Sequence, residues 1–90
     1  MTKYVAADLS RSVEDYLKAI YHLTESGLPA STTAIAEALE IAAPSVSGMV
    51  KRLAEAGLVE HQPYKGVTLT NEGRHAALRM LPAYQRLYAG

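Results

Sequence analysis

Residues 33–57 read TAIAEALEIAAPSVSGMVKRLAEAG. The stretch divides at Ile41-Ala42-Ala43, a short break without charge. Before the break, Ile35, Ala36 and Leu39 recur at helical spacing over about Thr33 to Glu40, and Thr32 or Thr33 can cap that short helix. After it, Pro44 suits a first helical position, where its missing N–H costs nothing. That helix runs to Ala56, and Gly57 ends it. Val46, Met49, Val50 and Leu53 fall on its inner face, leaving Pro44, Ser45, Ser47, Gly48, Lys51 and Arg52 on the outer side.

Upstream, Val13, Tyr16, Leu17, Ile20 and Leu23 predict an amphipathic helix from Ser12 to Ser26. Ser12 is its expected N-cap, with Glu14 and Asp15 in the first turn, where negative charge meets the positive helix end. Gly27 and Pro29 close it. Downstream, Leu58 to His61 and Val67 to Thr70 read as short strands joined by a Gln62-Pro63-Tyr64-Lys65-Gly66 turn. A fourth helix follows, capped by Thr70 or Asn71, with Ala76, Ala77, Met80 and Leu81 along one side, until Pro82 interrupts or kinks it. Ala83 to Tyr88 reads as a short continuing helix. With no internal repeat or low-complexity tract, residues 1–81 form one expected domain and 82–90 a tail.

Two short helices joined by a three-residue turn have the spacing of a helix-turn-helix. A hairpin directly after the second helix has the spacing of a wing. The expected fold is mainly α with a small β-hairpin, a winged helix-turn-helix. The major groove of B-DNA admits one α-helix, read mostly from its N-terminal residues. Here that end carries Ala42, Ala43, Pro44, Ser45, Ser47 and Gly48, small groups that allow close approach, thymine-methyl contact and hydroxyl hydrogen bonds. Lys51 and Arg52, one turn later, and Lys65 at the wing tip are suited to phosphates. No side chain offers a bidentate arginine–guanine contact at the helix tip, so readout leans on methyl contacts, water and DNA shape.

Net charge is zero, which alone counts against nucleic-acid binding. Its distribution points the other way. Residues 1–40 hold three basic side chains (Lys3, Arg11, Lys18) against six acidic ones, and residues 41–90 hold six against three. The sign changes where the reading helix is expected. The absence of cysteine excludes disulfides, thiolate zinc sites and a cysteine nucleophile. Asp8, Arg11 and Glu14 interrupt any signal-peptide core, and no apolar run reaches the roughly 18 residues of a membrane span, so the expected setting is cytoplasmic, away from membranes. Serine, histidine and aspartate share no catalytic spacing, and no Gly-rich phosphate loop occurs, so an enzyme is not expected. Glu72 and His75 lie three apart on a helix, a spacing that can share a metal although most such pairs are solvated surface; His22 and His61 have no evident partner.

Several segments, in order, resemble the DtxR/MntR family of metal-dependent repressors. Ser12-Val-Glu-Asp-Tyr-Leu-Lys-Ala-Ile-Tyr is similar to its first helix. Ile35-Ala-Glu-Ala-Leu and Pro44-Ser-Val-Ser-Gly-Met-Val-Lys-Arg-Leu are similar to its helix-turn-helix. Gly57-Leu-Val-Glu and Val67-Thr-Leu-Thr-Asn-Glu-Gly resemble its wing and the start of its next helix. The resemblance spans Ser12 to Leu81 and implies a homodimeric repressor of metal-uptake genes that binds a double-stranded operator and responds to Mn²⁺ or Fe²⁺. It implies a metal ligand at Asp15, where manganese-type members have an aspartate. Lys18 stands where those members have a glutamate ligand, and Tyr84 where the family has a histidine. The remaining ligands and the main dimerisation helices would follow residue 90. The chain therefore reads as the DNA-binding part of a longer repressor, or an altered version of one, binding no metal tightly by itself. The alternative is a winged helix that serves as a protein-interaction module without DNA.

Overall fold

The computed structural model describes the backbone of residues 2–80 and side-chain environments from Ser12 to Met80. Its elements are α1 (Thr2–Leu23), α2 (Thr32–Leu39), α3 (Ala43–Glu55), β1 (Val59–Gln62), β2 (Gly66–Leu69) and α4 (Asn71–Met80). This is the expected order, with a two-stranded antiparallel hairpin between α3 and α4.

The main correction concerns α1. Ser12 is not an N-cap, because the helix runs through it from Thr2. Glu14 and Asp15 consequently sit in the helix interior, away from the positive helix end. Between Thr2 and Leu23 there is neither glycine nor proline, and Ala6, Ala7, Leu9 and Arg11 are good helix formers. A serine followed by acids is permitted inside such a run and does not start it. The helix closes where Thr24 donates its hydroxyl to the Ile20 carbonyl at 2.7 Å, and the chain turns at Gly27.

Smaller shifts have local causes. The cap of α2 is Ser31, whose hydroxyl accepts from the Ala34 N–H at 3.0 Å, rather than Thr32 or Thr33. The left-handed residue that ends α2 is Glu40, at φ 57°. The inter-helix turn is therefore Glu40-Ile41-Ala42, one residue earlier than expected. Ala43 takes the first position of α3 and Pro44 the second, which a residue without an N–H also tolerates. Both strands are displaced by one residue from the predicted spans. Thr70 caps α4: its hydroxyl donates to the Gly57 carbonyl at 2.6 Å and accepts from the Gly73 N–H at 3.0 Å.

The core joins every element. Tyr16, Leu17 and Ile20 of α1 meet Ile35 and Ala36 of α2, and Val46, Val50 and Leu53 of α3. Val59, Val67 and Ala77 close it from the hairpin and α4. Met49, Leu39, Ala76 and Met80 pack at its margin, half-buried. Gly73 is buried where α4 lies against β1's approach; a β-carbon there would overlap the Leu58 carbonyl. The structure adds a contact that the sequence reading lacks. Ala30 pairs with Val67, its N–H donating at 2.9 Å and its carbonyl accepting at 2.8 Å, which ties the start of the helix-turn-helix to the wing. Gly66 is required beside it: φ is 127°, and a β-carbon would lie 2.5 Å from the Ala30 carbonyl oxygen. Leu81, Tyr84 and the tail from 82 to 90 lie outside the described residues.

Candidate nucleic-acid interface

Helix α3 buries Val46, Val50 and Leu53 and turns its other side outward. Ala42, Ala43, Pro44, Ser45, Ser47, Gly48, Lys51 and Arg52 are all exposed, as is Lys65 between the wing strands. The sequence-based partition into inner and outer faces therefore holds residue by residue for these positions, with Met49 at the boundary. Tyr16 of α1, nearly fully buried, donates its phenol to the Ser45 carbonyl at 3.5 Å and so braces the first turn of α3. Burial raises the Tyr16 pKa above the ordinary phenol value and keeps the group protonated.

The wing turns at Pro63-Tyr64-Lys65, closed by the Lys65 N–H donating to the Gln62 carbonyl at 3.0 Å. Tyr64 has φ 66° and projects fully into solvent. Two hollows border the wing, one against α3 and one against the start of α2. One, of about 350 Å³, is bordered by Thr32, Ser47, Lys51 and His61. The other, of about 190 Å³, is bordered by Ser31, Thr32, His61 and Lys65. Ser31, Thr32 and His61 were missed as site candidates. Thr32 read only as a capping residue, Ser31 was not singled out, and a lone histidine on a short strand carries no sequence signal for what it faces.

On the other flank of α3, an open cleft of about 480 Å³ separates it from α1. Asp15 lines it together with Ser12, Ser45 and Arg52, over a floor that includes Ile41 and Met49. This donor set does not suit a divalent metal by itself. The cleft offers one exposed carboxylate, the hydroxyls of Ser12, Ser45 and Tyr16, and a guanidinium, whereas Mn²⁺ or Fe²⁺ needs several carboxylate or imidazole donors. Among the described residues, no group of three His, Cys, Asp or Glu side chains gathers anywhere, and the Glu72–His75 pair gains no third donor. His22 lies 3.8 Å from Glu25, both exposed, and edge-on to the Tyr21 ring at 5.7 Å. No helix among the described residues is long and apolar enough to cross a membrane.

Comparison with known proteins agrees with this architecture. Residues 8–67 match the family model of the iron dependent repressor N-terminal DNA-binding domain. An uncharacterised HTH-type transcriptional regulator of Methanocaldococcus jannaschii is 38% identical over 80 residues, covering 88% of this chain and 64% of that protein. The HTH-type transcriptional regulator MntR of Oceanobacillus iheyensis is 37% identical over 76 residues, covering 84% and 52%. The diphtheria toxin repressor of Corynebacterium glutamicum is 39% identical over 74 residues, covering 82% and 32%. The chain thus spans from about two thirds to one third of these relatives' lengths. Among solved structures, the manganese regulator SloR superposes with a TM-score of 0.63 at 42% identity, over 73% of this chain and 31% of that one. A MarR family protein of Mycobacterium tuberculosis, at 23% identity and TM-score 0.61 over 96% of this chain and 71% of that one, shares the winged-helix fold. The chain belongs to the iron dependent repressor family, as a winged helix-turn-helix DNA-binding domain.

Proposed function

We propose that this chain is the operator-binding unit of a transcriptional repressor and inserts α3 into the major groove. The observation that carries this reading is the exposed outer face of α3, small and hydroxyl-bearing at its N-terminal end and basic one turn later. Ala42, Ala43 and Pro44 would lie against base edges and thymine methyls, while Ser45, Ser47 and the open backbone at Gly48 serve close polar contacts. Lys51, Arg52 and Lys65 bind phosphates on either side of the groove.

Metal response belongs, on this reading, to the protein in a longer form, where Asp15 supplies one oxygen to Mn²⁺ or Fe²⁺ and further residues complete the ligand set. The manganese or iron named in relatives such as SloR and the family model supports this assignment. The target genes would be those of metal uptake, and two copies would bind two half-sites about one helical turn apart. Residues 1–81 are the DNA-binding domain and 82–90 the beginning of the dimerisation region. A repressor of this kind works in the cytoplasm.

Selection from a random duplex library, followed by titration at several salt concentrations, tests the reading. A recovered consensus, bound with an affinity that falls steeply with salt, is the expected result. Failure to bind any duplex at low salt overturns it.

A further inference from the structure

The two hollows beside the wing, one against α3 and one against the start of α2, share Thr32 and His61 at their borders. Lys51 stands at the α3 side and Lys65 at the wing-tip side, and among the described residues no carboxylate lines either hollow. Among the described residues, His61 is the one ionisable group common to both.

Strand geometry puts it there. Side chains alternate across a strand, so His61 shares a face with Val59, which is buried, and opposes Val67, which is fully buried. Its imidazole therefore stands on the inner face of the wing, at the exposed edge where the core gives way to solvent. Glu60 and Gln62 take the outer face, where the Gln62 amide donates to the Glu60 carboxylate at 3.3 Å. The adjacent strand carboxylate is thus turned from the hollows. With His61, the hollows are lined by Lys51 of α3, Lys65 of the turn and the hydroxyl-bearing Ser31 and Thr32, while the Tyr64 ring projects into solvent. A row of donors between two cations, with no acid, has the chemistry of a phosphodiester backbone rather than of a cation or an apolar ligand.

We propose that His61, together with Thr32, holds a backbone phosphate of the DNA strand running between the reading helix and the wing, joining the contacts of Lys51 and Lys65 into one track. This rests on the DNA-binding reading above and adds a contact on the wing's inner face. Because phosphate contacts are independent of sequence, a generic 30-base-pair duplex is a sufficient probe.

The experiment compares fluorescence anisotropy titrations of the 90-residue chain with its H61E, H61K, H61Q, T32E and H75E variants, each checked for folding by circular dichroism. His75 is exposed on α4, outside the track, so H75E controls for the same change in net charge. H61E and T32E are expected to weaken duplex binding roughly tenfold, as loss of a charge-assisted contact would. H61K should bind at least as well as the parent, with a salt slope steeper than that of H61Q by about one unit. H75E should change affinity less than threefold. Equal losses from H61E and H75E, or parent-like binding by H61E, overturn the track while leaving the DNA-binding reading intact. If the parent binds no duplex at low salt, both fall. Should H61E fail to fold, the H61K and H61Q salt slopes decide, and identical slopes overturn the proposal.

Discussion

The phenol of Tyr16 in the middle of α1 donates to the backbone carbonyl of Ser45 in the first turn of α3, across 29 residues of sequence and 3.5 Å of space. Ser45 thus has its backbone held from inside the molecule and its side chain presented to solvent. Asp15, adjacent to Tyr16 in sequence, lines the cleft between α1 and α3. Tyr16→Phe keeps the packing and removes the bond, so stability should fall by about 1 kcal/mol or less. The pH dependence follows from burial. The folded pKa of Tyr16 lies above the ordinary 10.0, so its stabilising contribution is complete below pH 10.0 and is lost as pH rises through the raised value. Thermal unfolding from pH 8 to pH 11 should show a steeper loss for the parent than for the variant; parallel curves would mean that burial does not hold the phenol neutral.

Ser45→Glu places a carboxylate on the face that is to meet phosphates and base edges, and specific operator binding should be abolished. Lys65→Ala should weaken all duplexes about equally and lower the salt slope by roughly one unit. A gel-shift titration in which Ser45→Glu binds like the parent would mean that α3 is not the reading helix.

Thr70 makes two bonds at the join between wing and α4, accepting from Gly73 and donating to Gly57. Thr70→Ala removes a cap and leaves a carbonyl unpaired, and should cost about 1–2 kcal/mol. Gly73→Ala should cost more, about 2 kcal/mol or above, because its methyl meets the Leu58 carbonyl. Denaturant melts of both variants check the order; a neutral Gly73→Ala would mean that α4 can move away from the Leu58 backbone.

One carboxylate beside an arginine makes a poor divalent site, so calorimetry should give only weak Mn²⁺ binding to the 90-residue chain. Asp15→Ala, exposed and in the helix interior, should change stability by about 0.5 kcal/mol or less. A stoichiometric site of micromolar affinity would show that residues outside the described region complete the ligand set within this chain. In a longer polypeptide the same substitution should sharply reduce metal-dependent DNA binding.

The 90-residue chain should be a monomer or weak dimer and bind operator DNA weakly, since half-sites a helical turn apart need two reading helices held together. Light scattering at micromolar concentration checks this. A tight dimer would assign an interface to residues 82–90 or to the surface of the winged helix.

The local pattern of the chain determined the order of elements and their inner and outer faces. Ile35, Ala36, Val46, Val50 and Leu53 are buried where periodicity put them, and Ser45, Ser47, Lys51 and Arg52 are exposed. These features repeat every turn or every second residue, so a short window carries them. Gly57 and Thr70 were legible for the same reason, because a left-handed turn and a capping hydroxyl act within a few residues. The start of α1 was not: a cap signal at Ser12 competes with ten upstream residues that continue the helix, and propagation is favourable once a turn exists. Only the tertiary structure decided the Ala30–Val67 pairing, the Tyr16–Ser45 brace, the Asp15–Arg52 cleft and the two hollows that bring Thr32 and His61 beside Lys51 and Lys65. Each joins residues well separated along the chain. Which of them meet depends on how the shared core closes around Leu17, Ile35 and Val67, and no local pattern of spacing encodes that.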